Sequence, residues 1–145
     1  MQSINFPSMK LFTLDGARRL LPQVRTLMEK LMKAKQALDV FRTLEVESES
    51  DVSDELNVTE MNKEFHRLSY QFFHYLGELE RLGCVVKDVD QGLVDFYSII
   101  DGKEFFFCWK FGENELSHWH DLESGFGGRM QISLLDKRVK SVDER

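Results

Sequence analysis

The chain has few of the residues that would constrain a small fold covalently. Its 145 residues include only two cysteines and two prolines. Cys84 and Cys108 are too few for a disulfide framework and too far apart for a CxxC motif. We therefore expect two reduced thiols that pack as small hydrophobic groups, rather than a redox pair or metal ligands. A domain of this length also needs no disulfide or metal staple to fold.

The chain lacks an excess of positive charge and a long apolar run. Its 19 Lys and Arg residues face 25 Asp and Glu residues, which gives a net charge of −6. This balance argues against nucleic-acid binding, because no cationic excess is available to displace counterions from a phosphate backbone. The most apolar short run, residues 105–109, cannot span a bilayer, and residues 1–12 do not follow the pattern of a secretory signal. We expect a cytoplasmic protein that does not bind membranes.

Two amphipathic segments predict a long antiparallel helical hairpin. Apolar residues recur at steps of three and four over residues 13–43 and again over residues 58–82. Thr13 is the predicted N-cap of the first helix. Pro22 predicts a kink in that helix, or a separate short helix over residues 14–21.

An acidic stretch separates the two predicted helices. Residues 44–60 contain seven acidic side chains and no basic one, so residues 44–57 are expected to form a polar, mobile connection. The apolar stripes of the hairpin are long enough to leave an edge that the rest of the chain or a second subunit must cover. We expect a homo-oligomer, most simply a dimer, or a protein partner at that edge.

The period of the apolar pattern changes to that of strands after Gly83. Residues 84–132 predict a small antiparallel β-meander of three to four strands, with strands over residues 84–89, 93–100, 103–111 and 115–120. The Asp101-Gly102 pair between two aromatic runs predicts a type I′ hairpin turn. Residues 136–145 form a charged tail. The predicted fold is therefore α+β, with residues 1–145 forming a single domain in which the hairpin packs on the meander.

The densest group of chemically reactive side chains lies over residues 112–121. His118 and His120 would project from one face of a strand, and Glu113 could add an oxygen ligand, so these three residues form a candidate site for zinc or another divalent metal. On a regular strand, Glu115 would point to the face opposite His118, so it would not join the same metal site. Asp95 on the neighbouring hairpin could provide the oxygen ligand instead. The alternative is a set of half-buried, hydrogen-bonded histidines.

Two further segments could contribute to a site. The glycine-rich residues 125–129 could hold a carboxylate or phosphate with Arg129, or could be a loop that crosses the sheet with Arg129 paired to an acidic residue. Asp95 lies inside a predicted strand, where Asp is disfavoured. A salt bridge to Arg129 or Lys110 would explain it, and a role as general base or ligand is the other interpretation.

Several motifs taken in order resemble a known family. They are Phe12-Thr-Leu14 with Ala17, Arg19-Leu-Leu-Pro22, Leu82-Gly-Cys84-Val-Val-Lys-Asp88, Gly92-Leu-Val-Asp-Phe96, Cys108-Trp-Lys110, Gly112-Glu113, Trp119-His120 and Gly125-Phe126 with Gly128-Arg129. Together they resemble a bacterial family of uncharacterised proteins, domain of unknown function family 2203. The resemblance implies a small bacterial cytoplasmic protein and supplies no reaction. Its recurring positions correspond here to Asp95, Trp109, Gly112, Glu113, Trp119, His120 and Arg129, and they do not include His118.

These observations leave three classes of function open. The first is a ligand-binding or protein-interaction module, whose pocket on the aromatic sheet would take a small anionic or peptide-like ligand; its residues would be Asp95, Trp109, Glu113, Trp119, His120 and Arg129. The second is a metal-dependent, hydrolase-like enzyme that uses His118, His120 and carboxylates. The third is a helical-hairpin adaptor. No nucleophile elbow or dinucleotide fingerprint is present, and no cofactor other than a divalent metal is expected.

Overall fold

The computed structural model describes residues 10–48 and 55–134 of the chain. Two helices precede a five-stranded sheet, so the fold is α+β as predicted. The helices are α1 (Leu14–Ser48) and α2 (Glu55–Arg81). The strands are β1 (Val85–Asp88), β2 (Leu93–Ile100), β3 (Lys103–Lys110), β4 (His118–Asp121) and β5 (Met130–Gln131).

The first helix starts at the predicted cap and is longer than predicted. The hydroxyl of Thr13 accepts a hydrogen bond from the Gly16 amide at 3.0 Å, which satisfies one of the free N–H groups of the first turn. The helix runs through Pro22 without ending, so the alternative of a separate helix over residues 14–21 is wrong. A kink at Pro22 stays a prediction.

The two helices extend into the region expected to be a connection. α1 continues to Ser48, beyond its predicted end at residue 43. α2 begins at Glu55, before its predicted start at residue 58. Residues 49–54 of the predicted connection, and the predicted tail over residues 136–145, lie outside the described residues.

Ring contacts establish the antiparallel arrangement of the hairpin. Phe41 of α1 packs on Phe65 of α2, with ring centroids 5.7 Å apart. Closer to the sheet, the ammonium group of Lys30 lies 5.8 Å from the ring centroid of Tyr75. Residues later in α1 therefore contact residues earlier in α2, as the hairpin requires.

The sheet is an antiparallel meander in which neighbouring strands follow chain order. Asp101 and Gly102 have φ angles of 51° and 77°, so the predicted turn of positive φ joins β2 and β3. Five strands form rather than three to four, because residues 130–131 add a short strand beside β4. β4 begins at residue 118 rather than 115, and the carbonyl groups of Asn114 and Leu116 face arginines of α1 instead.

One face of the sheet forms the hydrophobic core with the helices. Phe96, Phe107 and Trp109 are completely buried there against apolar residues of α1, which are Ala17, Leu21, Val24, Met28 and Leu31. The start of α1 is attached to the same face, because the Phe12 amide donates to the Tyr97 carbonyl group at 2.8 Å. Strand alternation then places the neighbouring side chains, including Asp95 and Cys108, on the opposite face.

Part of the apolar surface of the hairpin is exposed. Tyr70 and Phe73 on α2 are 72% and 67% exposed, and Val40 and Leu44 on α1 are 60% and 52% exposed. An apolar edge that a second subunit covers stays a prediction. Neither of the described helices combines the length and the apolar character that a membrane crossing requires.

Gly92 tests how tightly the turn between β1 and β2 packs on its neighbours. Its φ is +71°, and a Cβ atom there would lie 2.5 Å from Cβ of Phe111. We expect Gly92→Ala to lower the free energy of unfolding by about 2–4 kcal/mol, because backbone strain and a steric clash add together. Gly102 has a φ of +77° and open space around it, so Gly102→Ala should cost only about 1 kcal/mol. Urea unfolding of both variants measures the difference, and equal losses would contradict the clash.

Candidate functional site

Polar residues collect on the sheet face that points away from the helices. Asp95 of β2 lies opposite Cys108 of β3, and His120 of β4 lies opposite Phe106 of β3. Directly paired residues share a face, as do residues two apart on one strand, so Asp95, Cys108 and His120 point the same way. The three residues are 1%, 1% and 3% exposed. A buried polar cluster therefore lies on this face.

Both ring nitrogens of His120 are hydrogen-bonded. Nδ1 lies 2.6 Å from the carbonyl oxygen of Asp121, and Nε2 lies 2.9 Å from Oδ2 of Asp95. A carbonyl oxygen can only accept, so Nδ1 must carry a proton. The contact between Nε2 and Oδ2 then requires one more proton, held either by the imidazole or by the carboxyl group. The Asp95–His120 pair thus shares a single additional proton.

Asp95 is an unusual carboxyl group for the interior of a sheet. Burial disfavours its charged form and raises its pKa, although His120, Cys108 and Lys87 act in the opposite direction. Its Oδ1 atom is buried and has no nitrogen or oxygen hydrogen-bond partner among the described residues. A buried carboxylate oxygen without a hydrogen bond costs about 1–3 kcal/mol, so Oδ1 favours a further donor or cation. The Cys108 thiol is a hydrogen-bond partner of the same carboxyl group.

Cys108 completes a group of three metal-ligand types. One potential ligand atom of Asp95, one of Cys108 and one of His120 all lie within 4.8 Å of one another. Burial and the neighbouring Asp95 carboxyl group raise the pKa of the Cys108 thiol to about 12. Arg129 lowers this pKa in part, but the net shift is upward, so the thiol is protonated and inert as a nucleophile.

The three side chains are of the types that bind a zinc-type ion. Zinc accepts sulfur, nitrogen and oxygen ligands at about 2.0–2.3 Å, so ligand atoms of a tetrahedral site lie about 3.3–3.7 Å apart. The 2.9 Å between Nε2 of His120 and Oδ2 of Asp95 would therefore have to lengthen around an ion. A thiolate and a carboxylate together balance the charge of a divalent ion, which favours burial of the whole group. The bond from Nδ1 of His120 to the Asp121 carbonyl oxygen leaves Nε2 as the metal-facing nitrogen, an arrangement typical of histidine ligands.

A second polar group lies beside the cluster. Arg129 donates to Oε1 of Glu113 at 2.6 Å and to the Cys108 carbonyl oxygen at 3.1 Å. Nδ1 of His118 lies 3.5 Å from Oε2 of Glu113. Burial raises the pKa of Glu113, but hydrogen bonds from Arg129 and the Lys110 amide outweigh burial, so the net pKa is lowered. Glu113 is therefore ionised and paired.

The structure divides the six residues of the predicted pocket. Asp95 and His120 contact each other, and Glu113 contacts Arg129. The two tryptophans belong to the helix-facing side: Trp109 is fully buried in the core, and Trp119 packs at its margin. Trp109 still reaches this region of the chain, because its Nε1 donates to the carbonyl oxygen of Glu113 at 3.0 Å.

The predicted metal ligands are also divided. His118 faces Glu113, whereas His120 turns across β3 to Asp95, so His118, His120 and Glu113 do not converge on one point. Asp95 was expected to pair with Arg129 or Lys110, and that expectation is wrong because His120 is its partner. Phe126–Gly128 form a short 3-10 turn, and Arg129 pairs with Glu113, as one of the two interpretations expected. That this loop crosses the sheet stays a prediction.

Cys108 is a free, buried thiol as predicted, but sequence reasoning did not place it beside Asp95 and His120. Its aromatic neighbours indicated an inert packed thiol, and Cys84 does behave in that way, because its Sγ donates to the Leu79 carbonyl oxygen. The register of the hairpin could have placed Cys108 beside Asp95. The Asp101-Gly102 turn pairs Ile100 with Lys103, and counting five residues outward along each strand pairs Asp95 with Cys108.

A comparison with protein families decides the relationship of the chain. The model of the uncharacterized conserved protein family DUF2203 matches residues 10–132, which is most of the sequence. The chain belongs to this family. No curated protein and no solved structure matches the chain.

The motif segments of this DUF2203 chain meet in space. Asp95 comes from the Gly92–Phe96 motif, Cys108 from the Cys-Trp-Lys motif and His120 from the Trp-His motif. Glu113 and Arg129, from two further motifs, bind each other beside them. Five of the eight segments that carry the family resemblance therefore build the buried cluster and its neighbour.

The Glu113–Arg129 pair should make stability depend on pH. Because the pKa of Glu113 is lowered in the folded state, its contribution is present above the pKa of the unfolded chain and is lost as pH falls through the folded pKa. We expect Glu113→Gln to lower the free energy of unfolding by about 1–3 kcal/mol at pH 7, with the difference from wild type closing under acidic conditions. Denaturant unfolding across pH measures this, with the exposed Glu123→Gln variant as the control.

Proposed function

We propose that this chain is a transition-metal-binding domain in which Asp95, Cys108 and His120 hold the ion, and that zinc is the metal that fits best. The observation that supports the proposal most strongly is the convergence of three chemically different donor atoms within 4.8 Å in a buried position. A carboxylate oxygen without a nitrogen or oxygen hydrogen-bond partner lies in the same place. Sulfur, nitrogen and oxygen together favour zinc, cobalt or iron over magnesium or calcium.

A purely structural hydrogen-bonded cluster accounts for less of this geometry. It explains the contact between Asp95 and His120 and a hydrogen bond between the Cys108 thiol and the Asp95 carboxyl group, but it leaves Oδ1 of Asp95 without a nitrogen or oxygen partner. A bound ion would use all three groups. It would also replace the shared proton of the pair as the positive charge between Nε2 and Oδ2.

The proposal is for metal binding rather than hydrolysis. The side chains of His120 and Asp95 are only 4% and 2% exposed, whereas a hydrolase must bring substrate to the metal. The proposal includes a cytoplasmic location, because a reducing compartment keeps a cysteine ligand available. It replaces the set His118, His120 and Glu113 as the candidate ligands.

Metal content with paired cysteine variants tests the proposal. Untagged protein purified without chelator should contain about one equivalent of zinc, iron or cobalt per chain by elemental analysis. Cys108→Ser should lose that metal, because the hydroxyl group is a poor substitute for a thiolate. Cys84→Ser is the matched control: Cys84 is also free and buried, yet it lies outside the cluster and should leave the metal content unchanged.

Thermal unfolding separates loss of metal from loss of fold. At a free zinc concentration 100 times the dissociation constant, the wild type should gain about 2.7 kcal/mol of stability, and folded Cys108→Ser should gain none. A wild-type protein that stays metal-free and gains no stability from added zinc would overturn the proposal. Equal metal loss from both cysteine variants would also contradict it.

Proton release gives an independent check of the ligand set. Binding should release about two protons per ion, one from the Cys108 thiol and one from the Asp95–His120 pair. The apparent affinity for zinc should then rise by about 100-fold per pH unit while both groups are protonated in the metal-free protein. Calorimetry in two buffers of different ionisation enthalpy counts these protons. Release of no protons would indicate that zinc binds elsewhere.

A further inference from the structure

A cavity of about 350 Å³ lies between α1 and the segment that leads into β4. Its lining includes Arg18 and Arg25 from the helix and Glu115 from the segment. Leu21 and Leu116 provide apolar surface in the same lining. The volume is within the range of sites for small molecules.

Both arginines are held in place by neutral groups. Nε and Nη2 of Arg18 each lie 3.2 Å from the carbonyl oxygen of Leu116. Nη2 of Arg25 donates to the carbonyl oxygen of Asn114 at 3.0 Å, and its guanidinium carbon lies 6.0 Å from the ring centroid of Trp109. The guanidinium groups are thus positioned without their charge being neutralised.

This arrangement differs from that of several basic residues of the two helices, although Lys30 and Arg42 likewise have no salt bridge among the described residues. Arg19, Lys33, Lys35, Arg67 and Arg81 each form a salt bridge with an acidic side chain. Within the described part of the chain, no carboxylate lies within 4.0 Å of a nitrogen of Arg18 or Arg25. In a chain with an excess of acidic residues, two fixed and unneutralised guanidinium groups create a local positive potential inside a cavity.

The backbone limits the separation of the two charges. Arg18 and Arg25 are seven residues apart on α1, which corresponds to about 10 Å along the axis. The carbonyl groups that they bind belong to Asn114 and Leu116, and a fully extended chain would separate these two residues by roughly 7 Å at most. The two guanidinium groups therefore face one small cavity at a spacing that a single small molecule can bridge.

We propose that this cavity binds a small dianion that bridges Arg18 and Arg25. Guanidinium groups form strong, charge-assisted hydrogen bonds with carboxylates and phosphates, and pre-positioned groups lose less freedom on binding. Several N–H groups of each guanidinium remain available after the bonds to the backbone are counted. The carboxylate of Glu115 in the same lining opposes binding and limits the net charge of the cavity.

Titration with simple anions, followed by two-dimensional ¹H–¹⁵N NMR, tests this proposal. The probes are inorganic phosphate, the dicarboxylates from succinate to pimelate, and butyrate as a single-charge control. We expect at least one dianion to bind about 10-fold or more tightly than butyrate, with the largest shifts at the amides of residues 114–116. A best fit for phosphate indicates one anionic centre between the arginines, and a best fit for a longer dicarboxylate indicates one group on each arginine.

Charge variants identify where the anion binds. Arg18→Gln and Arg25→Gln should each weaken binding of the best dianion by about 10-fold or more. The matched control is Arg19→Gln, which removes the same charge from a neighbouring exposed residue that pairs with Asp15 outside the cavity lining. Glu115→Gln should strengthen binding, because it removes the opposing charge without touching either arginine.

Three results would overturn the proposal. Binding of all dianions no tighter than butyrate would show that the cavity does not discriminate charge. An effect of Arg19→Gln as large as that of Arg25→Gln would show non-specific attraction to the helix. Removal of the negative charge of Glu115 should tighten binding of an anion, so weaker binding by Glu115→Gln would contradict the proposal. This test holds even if an arginine variant fails to fold.

Discussion

The pairing of β2 with β3 is the constraint on which the rest of the structure depends. These two eight-residue strands pair along their whole length from the Asp101-Gly102 turn, and both faces of the pair are buried near its centre. A shift by one residue would move Phe107 and Trp109 out of the core and bring Cys108 into it. The same register therefore fixes the aromatic core on one face and the Asp95, Cys108 and His120 cluster on the other.

Local sequence patterns were enough to predict most of the fold, but they were not enough to predict which residues meet in the candidate site. Helical periodicity, the Thr13 cap and the turn at Asp101 each act over a few residues, so they could be interpreted from the sequence alone. The ends of the helices were missed because polar residues continued both helices beyond their apolar stripes. The late start of β4 was missed because arginines nearly 100 residues earlier hold the preceding segment.

Local patterns also failed to predict which individual residues of the candidate site contact each other. His118 and His120 were grouped because alternation places them on one face, yet each imidazole has a different acidic partner. Which partner is chosen depends on how side chains lean across neighbouring strands, and no local pattern reports that. Cys108 was judged by its apolar neighbours in sequence, whereas its partners in space are polar. Register, rather than composition, was the information that could have placed it.

Contacts of the first helix have a consequence for the order in which the chain can fold. Phe12 hydrogen-bonds to β2, and Arg18 binds a carbonyl group 98 residues later in the chain. During synthesis, the start of α1 emerges first but must wait for the sheet before its core-facing stripe is covered. Contacts between such distant residues slow folding, because a long loop must close before they contribute. The arginine-lined cavity can therefore exist only after most of the chain has left the ribosome.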